Sequence, residues 1–232
     1  MRQLHDKLWV HEDSMKLAGV NLPLRMTVVR LEGGGVWVHS PTELNAELKA
    51  AVDALGPISV ILAPSNGHNL WLRAWHDAYP DANVYVSAGI PKKLPALGGY
   101  LLLDEASDPP WSADLEQQML RGVPFFDECV FLHKASGSLI VTDLVQNHRG
   151  QVHQGFAKVM TKLMLEPMGF KDICIAPPLR FSFVIKDRPA FVESISAVQA
   201  WNFERIIVTH GDIIEDNASD TFKRLMQRFT GG

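Results

Sequence analysis

The sequence has little cysteine and no long hydrophobic run. Its 232 residues include two cysteines, Cys129 and Cys174, which lie in apolar segments without the spacing of a metal-binding or redox motif. Both are expected to be reduced and buried, which favours a cytosolic compartment. No segment approaches the roughly 18 apolar residues of a membrane span. Charged residues also interrupt residues 1–20, so a signal peptide is not predicted.

The sequence also lacks a strong net charge. Lysine and arginine number 22 against 26 aspartates and glutamates, which gives a net charge of -4. A surface for nucleic acid or for an anionic membrane is therefore not expected. With 47% hydrophobic and 21% charged residues the composition is that of a globular protein. No internal repeat or linker is evident, so residues 1–232 are predicted to form one domain. The oligomeric state stays open, with a homo-oligomer as one option.

Alternating hydrophobic patterns predict a mixed α/β chain. Predicted strands cover residues 26–31, 36–38, 58–62, 83–87, 128–133, 138–145 and 206–209. Predicted helices cover residues 41–55, 70–78, 114–121, 156–165, 188–200 and 218–229, with Thr42 as the N-cap of the first. Residues 1–25 are expected to form short extended pieces and turns, and residues 88–123 a mostly irregular surface excursion. The glycines at 33–35 join two strands and lack the Lys-Ser/Thr of a nucleotide loop, so they predict a plain turn.

Four of the short apolar segments end at a histidine or an aspartate. These residues are His39 after 36–38, His68 in the loop after 58–62, Asp143 after 139–141, and His210 after 206–208. In α/β proteins, ligands bind beyond the carboxyl ends of the strands, where the loops converge. Four such ends therefore indicate one shared site.

This order of elements, together with the strand ends, resembles the metallo-β-lactamase superfamily from about residue 26 to the C-terminus. The resemblance implies a four-layer αββα sandwich of the α/β (α+β) class. The early Asp-Thr-Gly-like turn of that superfamily corresponds here to His39-Ser40-Pro41. Its His-x-His-x-Asp-His motif corresponds to residues 63–68, Ala-Pro-Ser-Asn-Gly-His. Asp143 corresponds to the bridging aspartate and His210 to the C-terminal histidine. Motifs this degenerate resemble an uncharacterised branch known as a domain of unknown function.

The resemblance implies that one of the two metal sites of the superfamily is absent. Ala63 and Ser65 stand in place of its first two histidines, and no histidine occurs near Asp127 or Glu128, where the third is expected. Gly67 also replaces the aspartate of the second metal site.

The remaining candidate ligands of that second site are His68, Asp143 and His210. Two imidazoles and one carboxylate suit a single zinc ion, and they equally suit iron(II) in a facial triad, while manganese is a further option. The first hypothesis is therefore a single-metal hydrolase of a small ester, amide or phosphoester, with an unknown small-molecule substrate. In it Asp143 serves as ligand and catalytic carboxylate, and Asp212 orients a ligand or acts as a base.

Two alternatives stay open at this point. The protein can be a non-catalytic binding or scaffold protein without metal, in which His68, Asp143 and His210 form a hydrogen-bonded polar cluster. It can also be an iron-dependent oxygen enzyme.

Four further residues are candidates for the pocket wall, and each has a simpler interpretation. His39 can hydrogen-bond the loop backbone, Ser65 and Asn66 can be turn residues, and Arg180 can be an exposed surface residue rather than a contact for an anionic substrate.

Overall fold

The computed structural model describes residues 1–17, 20–149, 161–169, 171–180 and 184–231. The first seven strands are β1 (Arg2–His5), β2 (Leu8–Leu17), β3 (Val20–Arg30), β4 (Val36–His39), β5 (Ile58–Ala63), β6 (Asn83–Val86) and β7 (Tyr100–Leu102). The later strands are β8 (Leu115–Met119), β9 (Cys129–His133), β10 (Ser138–Val141), β11 (Val145–Asn147), β12 (Ile173–Ile175) and β13 (Arg205–Val208). The helices are α1 (Ala46–Asp53), α2 (Leu72–Ala78), α3 (Ile90–Lys93), α4 (Glu166–Met168), α5 (Arg188–Gln199) and α6 (Ala218–Thr230).

Two sheets carry most of the strands. The first sheet has the order β1-β2-β3-β4-β5-β6-β7, with antiparallel pairing up to β4 and parallel pairing from β4 to β7. The second sheet has the order β13-β10-β9-β8, in which only the pair β10–β13 is parallel. Strands β11 and β12 form a small separate ladder.

Alternation of side chains along the strands sorts the buried residues into three layers of core. The layer between the sheets contains Trp37, Val60, Leu62, Phe131, Ile140 and Ile207. The layer between the first sheet and helices α1 to α3 contains Val36, Val38, Leu48, Ile61, Trp75 and Ile90. The layer between the second sheet and helices α5 and α6 contains Val130, Leu139, Phe191, Ile195, Ile206 and Phe222. The molecule is therefore a four-layer αββα sandwich, and the fold predicted from the sequence is confirmed.

Two predictions for individual elements were wrong. In place of the short extended pieces expected for residues 1–25, the structure has a long hairpin in which β2 and β3 run for 10 and 11 residues and β3 ends at Arg30. The helix predicted at 114–121 is instead strand β8, at the edge of the second sheet. Its buried residues Leu115 and Met119 are four apart, a spacing that lies on one face of either a helix or a strand. Pairing with β9 therefore decides the conformation.

Helix α1 begins later than the sequence predicts. Its N-cap is Asn45, whose side-chain oxygen accepts a hydrogen bond from the backbone N–H of Leu48 at 2.8 Å. Thr42, the predicted cap, lies before the helix and its buried hydroxyl has no hydrogen-bond partner. The helix predicted at 156–165 lies outside the described residues except for Thr161–Leu165, which form a π-helical turn. None of the described helices is long and apolar enough to cross a membrane.

The two sheets are tied together at the rim where β4, β5, β10 and β13 end. The backbone N–H of Cys129 donates to the carbonyl of Pro64 at 2.7 Å, and the N–H of Asn66 donates to the carbonyl of Phe126 at 2.8 Å. These bonds connect the loop after β5 to the segment before β9. The rim therefore brings the loops after the first-sheet strands against those after the second-sheet strands.

Candidate metal centre

Three of the predicted site residues converge at this rim. Nε2 of His68 lies 3.4 Å from Oδ2 of Asp143, and Nε2 of His210 lies 3.4 Å from Oδ1 of the same carboxylate. The two imidazole rings are 5.2 Å apart between centroids. His68 comes from the first-sheet half, and the other two residues from the second, so the site spans the sandwich.

The orientation of His68 is set by Ser40. Its hydroxyl lies 2.7 Å from Nδ1 of His68. Ser40 has a left-handed backbone with φ 53° and its N–H donates to the carbonyl of Leu62 at 3.1 Å. This turn after β4 directs the serine side chain toward the loop after β5. With Nδ1 so held, Nε2 is the ring nitrogen that faces Asp143.

The orientation of His210 is set by backbone groups. Its Nδ1–H donates to the carbonyl of Pro23 at 2.9 Å, and its own carbonyl accepts from the N–H of Asn147 at 3.0 Å. The next residue is Gly211 with φ 99°, and a Cβ there would lie 1.5 Å from the carbonyl oxygen of Asn147. Only glycine allows this approach.

A buried arginine also fixes the loop that carries His210. Nη1 of Arg25, on β3, donates to the carbonyls of Val208 and Gly211, the latter at 2.6 Å, and Nη2 reaches Glu12 at 3.2 Å. Arg25 is 5% exposed, so its guanidinium makes its hydrogen bonds to protein groups rather than to solvent. It therefore connects the first sheet to the end of β13.

Asp143 is held by residues on both sides. A Cβ at Gly67 would lie 3.1 Å from Oδ2 of Asp143, so the absence of a side chain at 67 leaves room for this carboxylate. Nε2 of Gln146 donates to Oδ1 of Asp143 at 3.3 Å. Below the turn, the carboxylate of Glu128 accepts hydrogen bonds from the backbone N–H groups of residues 142–144.

The electrostatics of the site favour an ionised Asp143. Burial raises the pKa of Asp143, but the charge of His68 and the contact with His210 outweigh it and bring the pKa below its usual value. Burial lowers the pKa of His210, while Asp143 raises it more, so the net direction is upward. For Glu128, burial followed by the negative charge of Asp143 raises the pKa to about 8, against the opposing effect of its backbone donors. The centre therefore places an ionised carboxylate between two imidazoles.

The distances fit a small divalent cation. The two separations of 3.4 Å exceed the roughly 2.7–2.9 Å of a charged hydrogen bond. Ligands about 2.0–2.1 Å from a tetrahedral zinc ion lie about 3.3–3.4 Å from one another, and each imidazole lies at this separation from a different oxygen of Asp143. One ligand atom from each of His68, Asp143 and His210 can be chosen so that all lie within 4.8 Å of one another. Since both histidines are oriented through their Nδ1 atoms, as is typical of metal-binding histidines, these residues fit a metal ion.

A pocket of about 160 Å³ opens over this centre. Its polar wall includes the three candidate ligands with Ser40, Thr42, Asn69 and Thr209, and its apolar wall includes Met15, Leu22, Leu24, Pro41, Leu70 and Trp71. Arg25 also lines it. Three of these six apolar residues, Met15, Leu22 and Leu24, come from the β2–β3 hairpin, which the sequence patterns did not predict.

Three of the four other pocket candidates, His39, Ser65 and Asn66, are not among the residues that line this pocket. His39 is buried between Trp37 and Phe131, and neither of its ring nitrogens has a hydrogen-bond partner. The predicted bond from His39 to the loop backbone is therefore wrong, because its side chain points into the core between the sheets. Ser65 is fully buried with no partner for its hydroxyl. The side chain of Arg180 lies outside what the structure describes.

Asn66 and Asp212 have structural contacts near the rim. The side chain of Asn66 donates to the carbonyls of Pro124 and Phe125 and accepts from Ser87. Asp212 is exposed and absent from the pocket wall, and its backbone pairs with Asn147. The position of Asp212 therefore offers no support for a role as general base.

Comparison with solved structures identifies the class of fold. The chain is similar to a metallo-β-lactamase from Pontibacter korlensis, with a TM-score of 0.63 and 14% identity over 97% of both chains. It is similar to TMB-1, with a TM-score of 0.65 and 13% identity over 98% of this chain and 96% of the other. It is also similar to the metallo-β-lactamase DIM-1, with a TM-score of 0.63 and 12% identity over 98% of this chain and 95% of the other. The protein has a metallo-β-lactamase fold with a candidate metal centre at the rim of the sandwich.

A model of one protein family matches residues 5–168 and is described as a domain of unknown function, DUF4336. The match spans more than half of the chain, so the chain belongs to this family. The matched region includes His68 and Asp143, while His210 lies beyond it. A search of curated proteins gives no match.

Proposed function

We propose that this protein is a single-metal hydrolase of a small ester, amide or phosphoester, from a degenerate branch of the metallo-β-lactamase superfamily. The proposal is carried by one observation: His68, Asp143 and His210 each offer one ligand atom, and these three atoms lie within 4.8 Å of one another. The replaced residues Ala63, Ser65 and Gly67 account for a reduced ligand set. We further propose zinc as the ion, with iron or manganese as alternatives.

Each residue of the site has a defined part in this proposal. His68 and His210 present Nε2, and Asp143 presents a carboxylate oxygen. Ser40 and the carbonyl of Pro23 hold the two rings in orientation. A divalent ion at this place would polarise a substrate oxygen and lower the pKa of a water molecule toward neutrality. The pocket residues would position the substrate beside it.

The pocket favours a small substrate with an apolar part. Its volume of about 160 Å³ is below the roughly 300–1,000 Å³ of pockets for drug-sized ligands. Met15, Leu22 and Trp71 supply apolar surface on one side. Arg25 is the one arginine among the described residues of the wall, and its guanidinium is bound to Glu12 and to two backbone carbonyls. Esters and amides with a short apolar group therefore suit the pocket better than phosphoesters do.

One observation favours the second candidate function, a non-catalytic binding protein. Asp143 is the one carboxylate among the described residues of the pocket wall, and it is engaged by both histidines and Gln146. A general base separate from the candidate ligands is thus missing from this wall. In this alternative the site holds a ligand without turning it over.

Metal content tests the first proposal. We expect the purified protein to contain about one zinc ion per chain by elemental analysis after supplementation with zinc, and we expect His210→Ala to lose it. The matched control is His76→Ala, which changes a histidine of α2 outside the pocket and should retain the metal.

The metal content and the activity measurements distinguish the candidate functions. A wild-type chain without metal after supplementation with zinc, manganese and iron contradicts the metal proposal and supports the binding protein. Stoichiometric metal without turnover across a panel of esters, amides and phosphoesters contradicts the hydrolase alone. Anaerobic loading with iron followed by oxygen, monitored by absorption, tests the iron-dependent oxygen enzyme.

A further inference from the structure

Glu128 is a buried carboxylate placed directly below the candidate metal centre. It is 1% exposed and immediately precedes β9. In the β9–β10 ladder Ile140 pairs with Phe131, and continuing this register places Glu128 opposite Asp143. Burying a carboxylate is unfavourable unless its oxygens are hydrogen-bonded, so its partners indicate why it is there.

Three consecutive backbone donors converge on this carboxylate. Oε1 of Glu128 accepts from the N–H of Thr142 at 2.7 Å, and Oε2 accepts from the N–H groups of Asp143 at 3.2 Å and Leu144 at 2.9 Å. These three residues form the turn in which β10 ends and from which the side chain of Asp143 projects. Both oxygens of Glu128 are therefore used to fix that turn.

Glu128 does not itself join the candidate ligands. Among the described residues, the group that can hold a metal consists of His68, Asp143 and His210. The turn 142–144 would otherwise present three buried N–H groups without acceptors, and such groups destabilise the conformation that leaves them unpaired. The carboxylate thus selects the turn conformation that directs Asp143 toward both imidazoles.

We propose that Glu128 is a positioning residue for Asp143, and that it raises the affinity of the centre for a divalent metal by fixing the turn 142–144. This inference rests on the metal centre of the proposed function. Groups that orient metal ligands typically contribute a factor of 10–100 in metal affinity. The hydrogen bonds of Glu128 to the turn go to backbone N–H groups, and Glu128 is not among the described residues that line the pocket.

The test substitutes the carboxylate and measures zinc affinity by competition with a chelator. In Glu128→Gln the amide NH₂ replaces one acceptor and faces a backbone N–H, so we expect zinc affinity to fall 10–100-fold and the absorption spectrum of bound cobalt(II) to change. Glu128→Asp keeps both carboxyl oxygens as acceptors but is one methylene shorter, so we expect a smaller loss. It provides the measurement if Glu128→Gln does not fold.

The matched control is Ser194→Ala in α5. The buried hydroxyl of Ser194 accepts from the backbone N–H of Arg121 at 3.0 Å, which is the same kind of bond at a distance from the centre. We expect this variant to lose thermal stability and to keep wild-type zinc affinity. It thereby separates general destabilisation from an effect on the metal ligand.

A second readout does not need metal. Amide hydrogen exchange of Thr142, Asp143 and Leu144 in the metal-free protein should become faster in the Glu128 variants than in Ser194→Ala. If the wild-type chain binds no zinc but this exchange still accelerates, the metal proposal fails and the effect on the turn stands. A folded Glu128 variant with wild-type zinc affinity and unchanged exchange overturns the positioning role, and so does unfolding of both Glu128 variants.

Discussion

Three histidines near the rim illustrate how surroundings decide the part that a residue plays. His68 and His210 each have Nδ1 held by an oxygen and Nε2 facing Asp143. His39, on the neighbouring strand β4, stacks on Trp37 with ring centroids 5.4 Å apart and meets Phe131 edge-on at 5.6 Å. Burial, followed by the charge of His68, lowers the pKa of His39 to about 3. His39 is thus a neutral aromatic residue of the core.

This low pKa predicts a pH dependence of stability. Below pH about 6.5 the unfolded chain binds a proton at His39, while the folded chain does not until pH about 3, so stability falls as the pH falls through this window. Phenylalanine cannot bind that proton. Between pH 7 and pH 5 we expect wild type to lose about 2 kcal/mol more than His39→Phe in urea unfolding.

The same variant tests whether His39 belongs to the site. We expect His39→Phe to keep its metal, because His39 is outside the candidate ligand group. If the stability of the two proteins depended on pH in the same way, the assignment of His39 as a buried neutral residue would be contradicted. Loss of metal in His39→Phe would indicate that His39 belongs to the metal site.

The candidate ligands were predictable from the sequence, whereas the residues that support them were not. His68, Asp143 and His210 follow apolar runs, a local signal that predicts convergence at one rim. His39 carries the same signal, but its side chain lies in the core between Trp37 and Phe131. Ser40, Glu128 and Arg25 act across sequence separations of 28, 14–16 and 183–186 residues. No local sequence pattern predicts such partners, because the turn and sheet geometry that brings them together exists only in the folded chain.

At the scale of elements, the periodicity of hydrophobic residues predicted most of the strands and helices. It failed where the same residue spacing fits both a helix and a strand. Strand β8 is the clearest case, since Leu115 and Met119 suit either a helix or a strand. The β2–β3 hairpin was missed because its polar and charged residues, such as His11 and Asp13, pair across the ladder without a continuous apolar run. In both cases pairing with a distant segment determined the outcome.

The start of α1 gives a prediction at this scale. Asn45→Ala removes the acceptor for the N–H of Leu48 and should lower the free energy of unfolding by about 1 kcal/mol. Thr42→Val removes a buried hydroxyl without a partner and should change stability by less than about 0.5 kcal/mol or increase it slightly. Urea unfolding of both variants checks this. A larger loss for Thr42→Val would restore Thr42 as the cap.

At the scale of the whole molecule, the candidate centre lies where the two halves of the sandwich meet. His68 belongs to the half built on the first sheet, and Asp143 and His210 to the half built on the second. The bond from Arg25 to Gly211 and the bond from Cys129 to Pro64 cross the same boundary. An ion held by all three ligands would therefore stabilise the contact between the halves.

Zinc should accordingly raise the melting temperature. Free zinc at 100 times its dissociation constant adds about 2.7 kcal/mol if the unfolded chain does not bind it, which for a chain of this size corresponds to roughly 5–10 °C. Differential scanning calorimetry with and without zinc measures this shift, and His210→Ala should show none. An equal shift in that variant would indicate binding elsewhere on the surface.

The spacing of the ligands along the chain has a consequence for the order of events in folding. Residues 68, 143 and 210 are separated by 75 and 67 positions, and we expect them to come together only after both sheets have formed and stacked, because His68 belongs to one half and the other two to the other. An ion bound at this centre would therefore not speed the search for the native topology. It would act on the folded molecule, and we expect it to lengthen the lifetime of the native state by slowing unfolding.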